Sequence, residues 1–402
     1  MRCRVLHGRW RPGWLMVALG GLVAVAACGG GGGGEGATAT TSSGSGTHAG
    51  ARAMQLVLDE LREGSSAPGA LGLVRSGGRE WFGTSGAADV EGTPISARTR
   101  FRIGSITKTV TAALVLEAVA RGELSLDDTV QSWVPGVIAE QPAVTIRMLL
   151  AHTSGLFNAG DEGDVLGDIG RIDDPVLRQE AQDLSERYMA GELVLVPDLV
   201  WVALAETHPL YFEPGRGYHY SNVNYQLAAM ALEAATEEDL APLLEERIAA
   251  PVGLSSTTIA PADLTMPDMH SYTRNPGTGA LTDTSSDLLA LGNGGSGGIV
   301  STAGELLDLM QAIVSGDLLA PRLVAEMTAA TEQSEGTYGL GLVTFRLECG
   351  EYLGHAGAIA GMHTLALVSP DGGKGLVLAV NARGDRDPNL LATAEELLCG
   401  AG

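Results

Sequence analysis

"RFRIGSITKTV", residues 100–110, opens an apolar helix yet carries a lysine in its first turn. A cation there faces the positive end of the helix dipole. Serine is a favoured N-cap, but a capping box at Ser105 would put Glu or Gln three residues on, not Lys108. The next residues, Val110-Thr111-Ala112-Ala113-Leu114-Val115-Leu116, are apolar nearly all round, as in a buried helix. Positions i and i+3 share a face, so Lys108 can reach the Ser105 hydroxyl. Desolvation lowers the pKa of an amine and lets it take a proton from serine. Ser105 and Lys108 are therefore a candidate nucleophile and base.

Further along, Pro214-Gly215-Arg216-Gly217-Tyr218-His219-Tyr220-Ser221-Asn222 sets Tyr220 and Asn222 on a glycine-rich loop before a helix from Tyr225 to Leu232. Ser221 or Asn222 also suits as a plain helix cap. Gly354-His355-Ala356-Gly357 lies at the start of a strand. Gly294-Gly295-Ser296-Gly297-Gly298 matches G-x-S-x-G, but a nucleophile elbow needs a helix at once. Here the helix begins later, at the Thr302-x-x-Glu305 capping box. Ser296 is therefore set aside. The eight histidines show no metal-ligand spacing and no phosphate loop is visible, so neither metal nor cofactor is expected.

The elements around these stretches suggest an α/β (α+β) layout. Met54, Val57, Leu58 and Leu61 give a first helix that stops at Gly64, and runs 70–74 and 81–84 around Ser76-Gly77-Gly78 read as a hairpin. Runs 338–345, 364–369 and 376–381 read as strands, the last two joined by Pro370-Asp371-Gly372-Gly373. Asp387-Pro388 then reads as the cap and first-turn proline of a closing helix. Tight connections predict an antiparallel sheet built from both chain ends, with a mostly helical region over about 104–330.

Together and in this order, "FRIGSITKTVTA", "LLAHTSGL", "PGRGYHYSNVNY", "GGIVSTAGEL" and "GHAGAIAG" resemble the penicillin-recognising serine hydrolases, in their class C β-lactamase and D,D-carboxypeptidase branch, from about 52 to 399. The resemblance implies the β-lactamase/transpeptidase-like fold and acyl transfer through Ser105. Lys108 would be its proton-relay partner and Tyr220 the base and later acid. Asn222 would contact a substrate amide, with Ala356 and Gly357 lining the site and His355 giving electrostatic support. The backbone N–H groups of Ser105 and Ala358 would form the oxyanion hole. His152, in "HTSG", reads as structural. Class C enzymes carry Lys-Thr-Gly where this chain has His355-Ala356-Gly357, which weakens the expected grip on a penicillin carboxylate. Ester, D-amino-acid peptide and β-lactam remain open as substrates. The alternative is a tethered protein that binds penicillin or cell-wall peptides without turnover.

Residues 1–27 read as an export signal. Arg2, Arg4, Arg9 and Arg11 precede an apolar run from Trp14 to Ala27 that is too short to span a bilayer, and small residues lead into Cys28. Cys28 resembles a bacterial lipobox cysteine, which predicts a lipid-anchored, exported monomer on the periplasmic or cell-surface side. Residues 28–50, which include six consecutive glycines, form a tether of roughly 25 Å reach, followed by a catalytic domain over 51–402. Of 25 basic residues the leader takes four and no acids, leaving 21 against 48, a formal charge of −27. Nucleic acid is an unsuitable partner for such a surface. Cys349 and Cys399 remain, and in an exported protein either a disulfide or two buried thiols fits the sequence.

Overall fold

A computed structural model of the chain describes residues 45–159, 165–190, 192, 196–259, 267–275, 277–285, 294–359, 361–383 and 388–400. The leader, Cys28 and the tether as far as residue 44 lie outside the described residues, as does Asp387. The first helix, α1 (Ser45–Ser65), begins within the last residues assigned to the tether.

Six antiparallel strands make the main sheet: β1 (Gly69–Ser76), β2 (Arg79–Gly86), β3 (Val343–Leu347), β4 (Gly350–Ile359), β5 (Met362–Val368) and β6 (Lys374–Val380). Their spatial order is β2-β1-β6-β5-β4-β3, so the two chain ends meet where β1 pairs with β6, Ala70 opposite Val380. Gly77 and Gly78 close the first hairpin at φ 58° and 73°, a left-handed pair that suits a two-residue turn and that glycine adopts without strain. The expected strand over 338–345 begins only at Val343. Gly341 at φ 74° bends the chain before it, and Tyr338 makes just one bridge, to Val343.

The sheet has one more strand than the five expected, because β4 is broken up in sequence by Gly350, Gly354 and Gly357. "GHAG" accordingly sits well inside a strand instead of opening one. The glycines there answer to close approaches. A Cβ on Gly354 would stand 1.9 Å from the Ala366 carbonyl oxygen, and one on Gly357 would stand 2.1 Å from that of Ile103. Periodicity scoring penalises such glycines, although the fold needs them.

α1 and the closing helix, α5 (Leu390–Cys399), cover one face, where Leu58, Leu61, Leu365, Leu367, Leu378 and Leu397 are buried together. Asn389 caps that helix by accepting from the Ala392 amide at 3.2 Å, two residues beyond the cap expected at Asp387. The opposite face carries α4 (Ala303–Ser315), while α2 (Thr107–Arg121) packs against α3 (Asn222–Thr236); the apolar side chains of all three belong to the larger core. At the start of α4, Thr302 accepts from the Glu305 amide, but the Glu305 carboxylate turns away to the Ser255 and Ser256 amides. Half of the expected capping box forms. A short antiparallel sheet pairs Phe101–Arg102 with Ile299–Ser301, fixing the approach to Ser105 beside the segment that carries Ser296.

Cys349, in the β3–β4 turn, is disulfide-bonded to Cys399 at the end of α5, with Cα atoms 5.3 Å apart and a sequence separation of 50. Closing a loop of that length is worth about 4 kcal/mol in the chain-entropy model. The Cys349→Ser/Cys399→Ser protein should therefore melt several degrees lower than the oxidised parent by calorimetry. A difference within one degree would show that the bridge adds no stability.

Candidate active site

Gly104 to Ile106 form one tight 3-10 turn ahead of α2, and this turn holds Ser105 against the open edge of β4. Gly104 sits there at φ 55°, and a Cβ on it would come within 3.2 Å of the Ala358 amide nitrogen. β3 begins, at Val343, opposite Gly354, so residues 355–359 of β4 have a strand partner on one side only. Thr364 Oγ1 donates to the Ile103 carbonyl at 2.8 Å and ties the turn to the sheet.

Lys108 is fully buried, and its Nζ has three oxygen neighbours: Ser105 Oγ at 3.1 Å, Asn222 Oδ1 at 2.7 Å and the Ser296 carbonyl at 2.8 Å. Burial holds its pKa well below that of an ordinary lysine. A neutral amine has two N–H donors and one lone pair. The Asn222 and Ser296 oxygens act only as acceptors and take both hydrogens, which leaves the lone pair for the Ser105 hydroxyl proton. The Tyr220 ring centroid lies 5.0 Å from the same nitrogen.

Ser296, set aside as a nucleophile, enters the site through its backbone. It lies in the short helix Gly294–Gly297 ahead of the strand Ile299–Ser301, the reverse of the strand-then-helix order of an elbow. Gly295 lets that turn approach α3, where a Cβ would meet the Tyr225 carbonyl oxygen at 2.5 Å.

His355 is buried. Its Nδ1–H donates to the Ala356 carbonyl at 2.6 Å, and its Nε2 accepts from the Tyr338 hydroxyl at 3.2 Å. Burial first, and the nearby Lys108 second, push its pKa down to about 3. Any support that His355 gives is therefore that of a neutral, oriented dipole. Ala356 and Ala358 are exposed on the same strand, while Gly357 is buried between Ile103 and Thr364. Ser221 does not cap α3 with its side chain, because its hydroxyl donates instead to the Phe157 carbonyl at 3.1 Å.

The structure therefore brings together Ser105, Lys108, Tyr220, Asn222, His355 and the Ala358 amide. It adds Tyr338, the Ser296 carbonyl and Asn158, whose Oδ1 accepts from the Asn222 amide at 2.8 Å. Tyr338 was hidden inside a stretch read as strand. No residue pattern marks the other two, because one is a backbone atom and one a loop amide. Among the described residues no group of three or more His, Cys, Asp or Glu could hold a metal ion.

Residues 54–399 match the Beta-lactamase family model, and the chain belongs to that family. It is 35% identical over 216 residues to Esterase EstB of Burkholderia gladioli, a match covering 51% of this chain and 50% of the esterase, so the chain spans about half the length of that relative. Penicillin-binding protein 4* of Bacillus subtilis is 25% identical over 365 residues, covering 86% of this chain and 76% of that protein. The crystal structure of a D-stereospecific amidohydrolase from Streptomyces superposes with a TM-score of 0.69 at 30% identity, covering 87% of this chain and 98% of that one.

His355 bears on acid stability. A histidine whose pKa is lower folded than unfolded binds its proton mainly in the unfolded chain. Its contribution is complete above about pH 6.5 and fades as pH falls toward its folded value. The urea midpoint should fall between pH 7.5 and pH 4.5, and His355→Gln should flatten part of that fall. An identical slope in the variant would contradict the buried neutral state.

Proposed function

We propose that the protein is a serine hydrolase that forms an acyl-enzyme on Ser105, and that its substrates are neutral esters or amides of small acyl groups, including D-amino-acid derivatives. The observation that carries this reading is the buried Lys108 amine, with both hydrogens engaged and its lone pair facing the Ser105 hydroxyl at 3.1 Å. In the first step the Ser105 Oγ–H proton passes to Lys108 Nζ as Oγ bonds to the carbonyl carbon. The oxyanion is held by the Ser105 and Ala358 amides. The tetrahedral adduct expels an alcohol or amine, which takes a proton relayed by Lys108 and Tyr220. Water then attacks the acyl carbon and gives up a proton along the same route; the second tetrahedral adduct breaks its bond to Oγ, which takes that proton back as the acid leaves. The Asn222 oxygen is occupied by Lys108, so its contact with a substrate amide falls to Nδ2.

The preference for neutral substrates rests on β4. Where Lys-Thr-Gly would offer a cation and a hydroxyl, this chain offers the neutral His355 and the Ala356 methyl. Losing a hydrogen bond to a charged group costs about 1.5–3 kcal/mol, which is roughly 10- to 150-fold in binding. A penicillin or cephalosporin carboxylate bears that loss, and an ester does not. The relatives named as an esterase and a D-stereospecific amidohydrolase agree with this reading. In kcat/KM, a short-chain nitrophenyl ester should exceed a chromogenic cephalosporin at least tenfold, and Ala356→Thr should narrow the gap. Ser105→Ala should lose both activities and fluorophosphonate labelling. Preference for the cephalosporin, or labelling that survives in Ser105→Ala and is lost in Ser296→Ala, would overturn the assignment.

We also propose export and lipid anchoring at Cys28, on the basic leader, its apolar run and the small residues before the cysteine. Protein expressed in a bacterial host should partition into detergent, and mass spectrometry should find a diacylglyceryl group on Cys28. An unmodified cysteine would contradict the anchor.

A further inference from the structure

His152 follows α-helical residues Ile146–Leu150 and sits at φ 57°, a left-handed conformation that a side-chain-bearing residue seldom adopts. Its backbone carbonyl accepts from the His219 amide at 3.0 Å, so the turn is already joined to the loop that carries Tyr220. The side chain is fully buried and makes a second join. Its Nδ1 accepts from the Ser221 amide at 3.2 Å and lies 3.0 Å from Asn224 Nδ2.

The identity of these donors is fixed by the next group along. Ser154 Oγ receives the Leu156 amide at 3.1 Å, and its own hydrogen goes to Asn224 Oδ1 at 2.6 Å. Asn224 must then present Nδ2 to His152, and Nδ1 must be unprotonated. The imidazole is therefore neutral with its hydrogen on Nε2. Burial and the nearby Lys108, His355 and His219 favour the same state. Among the described residues no hydrogen-bond acceptor meets Nε2. What surrounds the ring instead is aromatic: Tyr220 at 4.3 Å between centroids, Tyr338 at 4.8 Å, Tyr225 at 5.2 Å and Tyr218 at 6.2 Å.

One face of this histidine thus holds the backbone directly after Tyr220, and its ring packs on Tyr220 itself. Tyr338 joins the same cluster to His355 through its hydroxyl. We propose that His152 is a positioning residue that acts through Tyr220: it anchors the backbone directly after Tyr220 at Nδ1 and supports the Tyr220 ring, so that the phenol meets Lys108 in register. The inference rests on the assignment of Tyr220 to proton transfer.

The test is a double-mutant cycle on ester hydrolysis. His152→Phe keeps a ring and removes the acceptor, whereas His152→Asn restores an acceptor near Nδ1 and tolerates the left-handed backbone. We expect His152→Phe to lower kcat by about 30-fold or more with KM within threefold, and His152→Asn to recover at least a third of that loss on a logarithmic scale. Asn224→Leu, a second route to the same network, should resemble His152→Phe and serves the cycle if that variant does not fold by circular dichroism. Because the effect runs through Tyr220, His152→Phe/Tyr220→Phe should be no more than threefold slower than Tyr220→Phe alone. A merely structural role predicts instead that the two losses multiply, and multiplication overturns the proposal. Native turnover in Tyr220→Phe would remove its foundation, and that result is visible in the single variant.

Discussion

A fully buried primary amine with no carboxylate partner among the described residues is the constraint on which this structure turns. Lys108 sits among apolar neighbours in the first turn of α2, and three oxygens from three separate parts of the chain converge on its nitrogen. A charged ammonium there would carry a large desolvation cost. The neutral amine instead satisfies two acceptors and retains a lone pair beside a hydroxyl. The position that is unfavourable for a cation becomes suitable for a base.

Much of the architecture can be read as what is needed to bring those oxygens together. The pairing of Phe101–Arg102 with Ile299–Ser301 brings the segment that carries the Ser296 carbonyl up to Lys108. α3 begins at Asn222, and the loop before it is held from beneath by His152, Asn158 and the Phe157 carbonyl. The main sheet supplies the opposite wall, where glycines at 354 and 357 allow β4 to lie against β5 and the Ser105 turn. Groups away from Lys108 itself therefore set the geometry around its nitrogen.

The sequence was most legible where one short segment carries its own logic. Spacing alone let Lys108 reach the Ser105 hydroxyl, although Ser105 sits in the 3-10 turn ahead of α2 and not in the helix itself, and turn chemistry placed the hairpin at Gly77-Gly78. It was least legible where the reason for a residue lies elsewhere in the chain. β4 is poor in strand-forming pattern because Ile103 and Ala366 need space there, and Tyr338 has a role only because His355, 17 residues on, is buried against it. The closing helix is capped by Asn389, two residues after Asp387, because its side chain accepts from the Ala392 amide. The network around His152 combines two residues of "HTSG", His152 and Ser154, with Asn224, separated by some 70 positions, and no local rule connects them.

The chain has only two lysines, Lys108 and Lys374, which makes the protonation state of the buried amine directly measurable. Protein labelled with 13C at lysine Cε should give two resonances, and Lys108→Met assigns them. Followed from acid to alkaline pH, the Lys108 signal is predicted to titrate well below the value of about 10.4 of an unperturbed lysine. A midpoint near 10.4 would show an ammonium ion beside Ser105 and contradict the account of Lys108 as the base.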